Sequence, residues 1–125
     1  TTESQYQKKP QNIKQVSISK ETVAVFSDIL GKANELVSKW NGKMFFIYFP
    51  SYNDIKKNKS DKHYKIINQI LKRFNIPMID IKKEVFDKHT NPISLFPFEL
   101  PGHYNAEGYK LIGLTIAANI DKMKN

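Results

Sequence analysis

Val23, Phe26, Ile29, Leu30, Ala33, Leu36, Val37 and Trp40 recur at steps of three and four residues, the spacing that gathers side chains on one face of a helix. With Ser19 as its N-cap, the pattern predicts a helix over about 20–40 that stops at Asn41-Gly42. The next run, Met44-Phe45-Phe46-Ile47-Tyr48-Phe49, is apolar at every position and ends at Pro50. A strand that is hydrophobic on both faces reads as a buried strand of a parallel sheet. The pattern then repeats. Tyr64, Ile67, Ile70, Leu71 and Phe74 mark a second helix after Ser60-Asp61, and Ile76 to Ile81 a second strand with Pro77 at its beginning. A short helix is expected around 82–88, followed by an irregular, aromatic stretch from His89 to Gly102. A final helix runs over about 105–121, with Tyr109, Ile112, Ile116 and Ile120 on one face. Gly108 and Gly113 are expected to bring it close to the sheet.

Alternating helices and strands imply an α/β fold of right-handed crossover units around parallel strands. Two strands are too few to bury the apolar stripes of these helices. The expectation is therefore an incomplete sheet, half of a doubly wound domain. Residues 1–18 are rich in Gln, Lys and Ser, with Ile13, Val16 and Ile18 as aliphatic points. They read as a polar N-terminal arm or linker, with an edge strand at 13–18 as the alternative, and residues 19–125 as the domain portion. The chain begins Thr1-Thr2-Glu3 without an initiator methionine, so a processed or truncated piece is expected.

A formal charge of +8 brings nucleic acid or an anionic surface into consideration as partner. Yet Arg73 is the only arginine, and phosphate and base recognition favour the guanidinium fork. The lysines, densest at Lys56-Lys57-Asn58-Lys59 and Lys62, read as solvated surface, so no nucleic-acid partner is expected. The absence of cysteine excludes disulfides and thiolate metal sites. His63, His89 and His103 lack metal-ligand spacing, so neither metal nor cofactor is expected. No run of about 18 apolar residues is present to span a membrane.

Open α/β sheets bind ligands outside the carboxyl ends of their strands, which directs attention to the segments after Phe49, after Ile81 and before the last helix. The third reads Phe96-Pro97-Phe98-Glu99-Leu100-Pro101-Gly102-His103-Tyr104-Asn105-Ala106-Glu107-Gly108-Tyr109. His103 stands two residues before Asn105, a natural helix cap, and an imidazole on a loop is suited to general-base work near neutral pH. The plainer alternative is a loop histidine satisfied by its neighbours.

The string His103-Tyr104-Asn105-x-x-Gly108-Tyr109 opens a terminal helix after two helix-strand units. Together with Phe49-Pro50-Ser51 and the Ile76-Pro77-Met78-Ile79-Asp80-Ile81 strand, it resembles the C-terminal half of SGNH (GDSL-like) hydrolases over about residues 20–122. The resemblance implies part of a three-layer α/β/α, flavodoxin-like domain in which His103 takes a proton from a serine and returns it to the leaving group. Asn105 and Gly108 would then be structural. The family's orienting aspartate falls at Leu100, leaving Glu99 as the candidate acid, with a backbone carbonyl or a decayed site as alternatives. The family's Gly-Asp-Ser and Gly-x-Asn-Asp blocks are absent from this chain. Ser51-Tyr52-Asn53-Asp54 reads as a turn, and Ser51 lacks the Gly-flanked elbow that exposes a nucleophile. Asp80 is expected to bond backbone or a helix end. Phe96-Pro97-Phe98 is expected to pack, or to border an acyl or sugar pocket.

The function implied is part of an ester hydrolase or O-acyl transferase, an acetyl hydrolase for instance, on an acylated small molecule or polysaccharide. It is placed in the cell envelope or outside the cell sooner than in the cytoplasm. This chain alone would be inactive, and its partner would be the rest of its own domain or a second copy. Two alternatives stay open: a non-catalytic SGNH-like binding or assembly module, and a basic nucleic-acid-binding domain.

Overall fold

The computed structural model describes residues 18–124. The proposed arm and the edge strand at 13–18 therefore lie outside the described residues, Ile18 apart. Helix α1 (Lys20–Lys39) starts where expected, because the Ser19 side chain accepts a hydrogen bond from the Thr22 amide. It ends at Asn41, whose φ of 59° turns the chain out of the helix. Strand β1 (Phe46–Tyr48) follows, then a short helix α2 (Tyr52–Lys56), helix α3 (Tyr64–Arg73) and strand β2 (Met78–Asp80). A single π-helical turn covers Lys82–Phe86, two 3-10 turns cover Pro92–Leu95 and Pro97–Glu99, and helix α4 (Ala106–Met123) closes the chain.

β1 and β2 pair in parallel, in the register Phe46 to Met78, Ile47 to Ile79 and Tyr48 to Asp80. Both strands are shorter than their apolar runs, since only three residues of each are paired. The described residues are thus α/β, with a two-stranded parallel sheet. Alternation along the strands sends neighbouring side chains to opposite faces. Phe46 and Met78 pack with Leu30 of α1 and Ile70 and Leu71 of α3. Ile47 and Ile79 pack on the other face with Val85, Phe86, Leu95, Phe96 and Ile112. Phe86 and Phe96, each 1% exposed, are the largest side chains of that second cluster.

One charged group is buried with them. Lys82 is 7% exposed, and its ammonium donates to Asp87 Oδ1 at 2.9 Å and to Asn58 Oδ1 at 3.3 Å. An ion withdrawn from water is tolerated only when so paired. The bond to Asn58 pins the lysine-rich loop after α2 to the π turn.

The two glycines of α4 part company. A Cβ on Gly108 would stand 3.1 Å from the Leu95 carbonyl oxygen and 3.1 Å from Tyr104 Cβ, so this glycine lets the helix meet the 3-10 turn, not the strands. A Cβ on Gly113 would meet no atom within 4 Å among the described residues beyond its own helix, and the expected close approach to the sheet is not made there. In the 125-residue chain, Gly113→Ala is expected to raise the unfolding free energy by about 0.5–1 kcal/mol through helix propensity. Gly108→Ala is expected to lower it by about 1–3 kcal/mol through overpacking. Denaturant titration of the two variants checks the pair, and equal effects would contradict it.

Candidate functional site at the strand ends

The carboxyl end of β1 and the histidine loop are held together by two tyrosines that cross between them. Tyr104, next to His103, donates its hydroxyl to the Pro50 carbonyl. Tyr52, in α2, donates its hydroxyl to the Glu99 carbonyl at 3.0 Å. Each segment therefore supplies one donor and one acceptor.

The rings are fixed as well. Tyr104 stacks on Phe49 with centroids 6.3 Å apart and meets Phe96 and Phe86 at 5.4 and 5.3 Å. Tyr52 meets Phe96 edge-on at 5.2 Å. Phe96 is thus the packing residue of the Phe96-Pro97-Phe98 string. Phe98 is 93% exposed, and it and Glu99 adopt φ values of 54° and 56°, a left-handed conformation that L side chains rarely take.

Local chemistry explains why the chain turns here. Asn105 caps α4: its Oδ1 accepts from the Gly108 amide at 2.9 Å, while its Nδ2 donates to the Ser94 carbonyl at 2.7 Å. Its backbone amide donates to the Leu95 carbonyl at 2.8 Å. One residue thus starts the helix and locks it to the 3-10 turn, which agrees with the structural role expected for Asn105.

Ser51 is a cap too. Its Oγ accepts from the Asp54 amide, and the Asp54 carboxylate accepts from the Ser51 amide at 2.8 Å. This capping box starts α2, a helix read from the sequence only as a turn; the Ser-x-x-Asp spacing is the signal that could have found it. Asp80 Oδ1 accepts from the Lys83 amide at 3.2 Å and so opens the π turn.

The three histidines differ. His63 precedes α3 and lines an apolar groove of about 200 Å³ with residues such as Val23, Phe26 and Ile70. His89 Nδ1 accepts from the Asn91 amide at 3.0 Å. His103 is exposed, and among the described residues its ring has no hydrogen-bond partner. Glu99 and Leu100 are exposed too, and the structure does not bring the Glu99 carboxylate into an ion pair with His103. No described helix is long and apolar enough to cross a membrane.

Three phenols around the strand ends resist ionisation. Burial, and then the negative charges of Asp61 and Asp54, push Tyr48 up to about 12. Burial and a hydrogen bond to Asp80 push Tyr64 up to about 12. Tyr104 is raised further, chiefly by burial. What the described residues offer chemically is therefore one exposed imidazole on a stiff aromatic platform, with phenols that stay neutral at physiological pH.

A folded-state pKa above the unfolded value of about 10 contributes stability that is complete below pH 10 and is lost as pH rises through the folded value. The unfolding free energy should therefore fall steeply above about pH 10. In a phenolate absorbance titration, replacing Tyr48, Tyr64 or Tyr104 by Phe should remove signal only toward pH 12 and above. Loss of signal near pH 10 in any of the three would contradict the burial assigned to it.

No family model, curated protein or solved structure matches the chain.

Proposed function

We propose that this chain is the C-terminal part of a three-layer, flavodoxin-like SGNH-type domain and that His103 is its general base. The observation that supports this most is the placement of an exposed histidine on a loop that is docked at the carboxyl end of a parallel strand. The Tyr104 and Tyr52 bonds hold it there, in front of a helix capped by Asn105.

On this assignment a serine outside the chain attacks an ester carbonyl. His103 removes the hydroxyl proton as the oxygen–carbon bond forms, and gives it to the leaving alkoxide as the tetrahedral intermediate collapses. Water then repeats the step on the acyl-enzyme. The oxyanion donors belong to the missing portion as well. The substrate class is an acylated, for instance acetylated, carbohydrate or small molecule, and the setting the cell envelope.

A second proposal is a non-catalytic SGNH-like assembly module. It is favoured by Leu100 at the orienting position and by the lack, among the described residues, of a ring partner for His103.

Purified residues 1–125 should cleave p-nitrophenyl acetate no faster than an equal amount of inert basic protein. In the longer polypeptide, His103→Ala should lower kcat on the order of 10⁴-fold with the fold intact, since loss of a triad member leaves only oxyanion and binding contributions. His63→Ala and His89→Ala serve as controls. Glu99→Gln should change little, because its carboxylate does not reach the ring. Activity within threefold of the parent for His103→Ala would overturn the catalytic assignment and leave the assembly module.

A further inference from the structure

The first turns of α1 and α3 leave a groove between them. Val23 and Phe26 of α1 form one wall, and Ile66, Ile67 and Ile70 of α3 the other. The groove has a volume of about 200 Å³ and lies over the core cluster that Leu30, Ile70 and Leu71 build beneath both helices. It is open to solvent, with Ile66 38% exposed.

The chain enters α1 by way of this groove. Ile18, the first described residue, lines it and is 42% exposed. Ile18 stands just before the cap Ser19, and Val23 is the fourth residue of α1. Apolar side chains at those two positions form a hydrophobic staple, which sets the angle at which the preceding chain meets the helix. Both side chains face the groove, so the polypeptide ahead of α1 starts out from it.

Residues 1–17 lie outside the described residues, and the sequence closest to the groove is Ile13-Lys14-Gln15-Val16-Ser17. Among residues 1–18, Ile13, Val16 and Ile18 are the aliphatic ones, so apolar character is confined to the stretch next to the groove. In an extended segment, residues two apart share a face. Val16 then falls on the side of Ile18, while the polar Gln15 and Ser17 face away. At about 3.3 Å per residue, Val16 lies roughly 7 Å beyond Ile18. The α3 wall from His63 to Ile70 is about 10 Å long at 1.5 Å per residue, so Val16 reaches its middle.

We infer that Ile13–Ser17 docks as an extended segment in the groove between α1 and α3, with Val16 as its anchor. The volume fits that occupant: it equals the liquid volume of roughly seven waters, room for side chains of a narrow strand but not for a partner helix about 10–12 Å across. Docked there, the segment covers the open apolar walls and ties the start of α1 to α3. The groove is on the face of the sheet opposite Ile112 of α4 and Phe96 of the histidine loop. Any chain preceding Ile13 therefore leaves the molecule from that face, and the docking makes no use of His103.

Limited trypsin digestion of residues 1–125 tests the docking, because a bond is cut only when the residues around it can leave the fold. Ile66→Ser, on α3, should speed cleavage after Lys14 at least about tenfold, while cleavage after Lys8 keeps its rate. Leu114→Ser, at a site on α4 that is 60% exposed, should change neither. Equal cleavage after Lys14 in the parent and in Ile66→Ser would overturn the inference. Should Ile66→Ser fail to fold, nuclear Overhauser contacts in the parent chain decide. Cross-peaks from the Val16 methyls to those of Ile67 and Val23 are the expected result. Val16 methyls with contacts only to their sequence neighbours would overturn it. So would contacts to α3 that arise only between differently labelled copies, which would make the occupant a second chain.

Discussion

Two tyrosine hydroxyls, each reaching across to the other's segment, decide where the exposed imidazole of His103 stands. Between β2 and α4 the chain has no strand and only single helical turns, so nothing periodic fixes the path of residues 87–105. Burial of Phe86, Leu95 and Phe96 supplies the anchor, and the Tyr104 and Tyr52 bonds supply the register. Each such bond is worth on the order of 1 kcal/mol net. Their crossing geometry makes them matter more, since neither segment can slide without breaking both.

The long helices and the order of elements were legible because three- and four-residue apolar spacing and the Ser19 and Asn105 caps are local signals. Local signals also explain the misses. Strand lengths were overestimated because an apolar run shows what is buried and not how many residues pair. Gly113 was expected to approach the sheet, yet small size alone cannot say which side of a helix faces a neighbour. In α1 the same limit is sharper. Eight positions formed one apolar stripe, but Leu30 alone of them is fully buried while Ile29 and Leu36 stand open. Periodicity reports the width of a face; what covers it depends on chain brought in from elsewhere.

Around the candidate site the sequence placed His103 on a loop at the strand ends and Asn105 at the helix cap. It left the means of fixing that loop unread. The hydroxyl partners of Tyr52 and Tyr104 lie 47 and 54 residues away in sequence, and no local pattern encodes such a pairing. The solvated-lysine picture is qualified at one position: Lys82 is buried against Asp87 and Asn58. Glu99 contributes through its backbone carbonyl, while its carboxylate stands in solvent, so the acid role proposed for it has no geometric support among the described residues.

The account turns on the histidine loop being docked at the end of β1. Nuclear Overhauser contacts of the Tyr104 ring in residues 1–125 test it most directly. Cross-peaks from Tyr104 to the Phe49 and Phe96 rings, with a slowly exchanging Tyr104 hydroxyl proton close to Pro50, are the predicted result. A Tyr104 ring that shows contacts only to its sequence neighbours, with a hydroxyl proton lost to solvent, would contradict it.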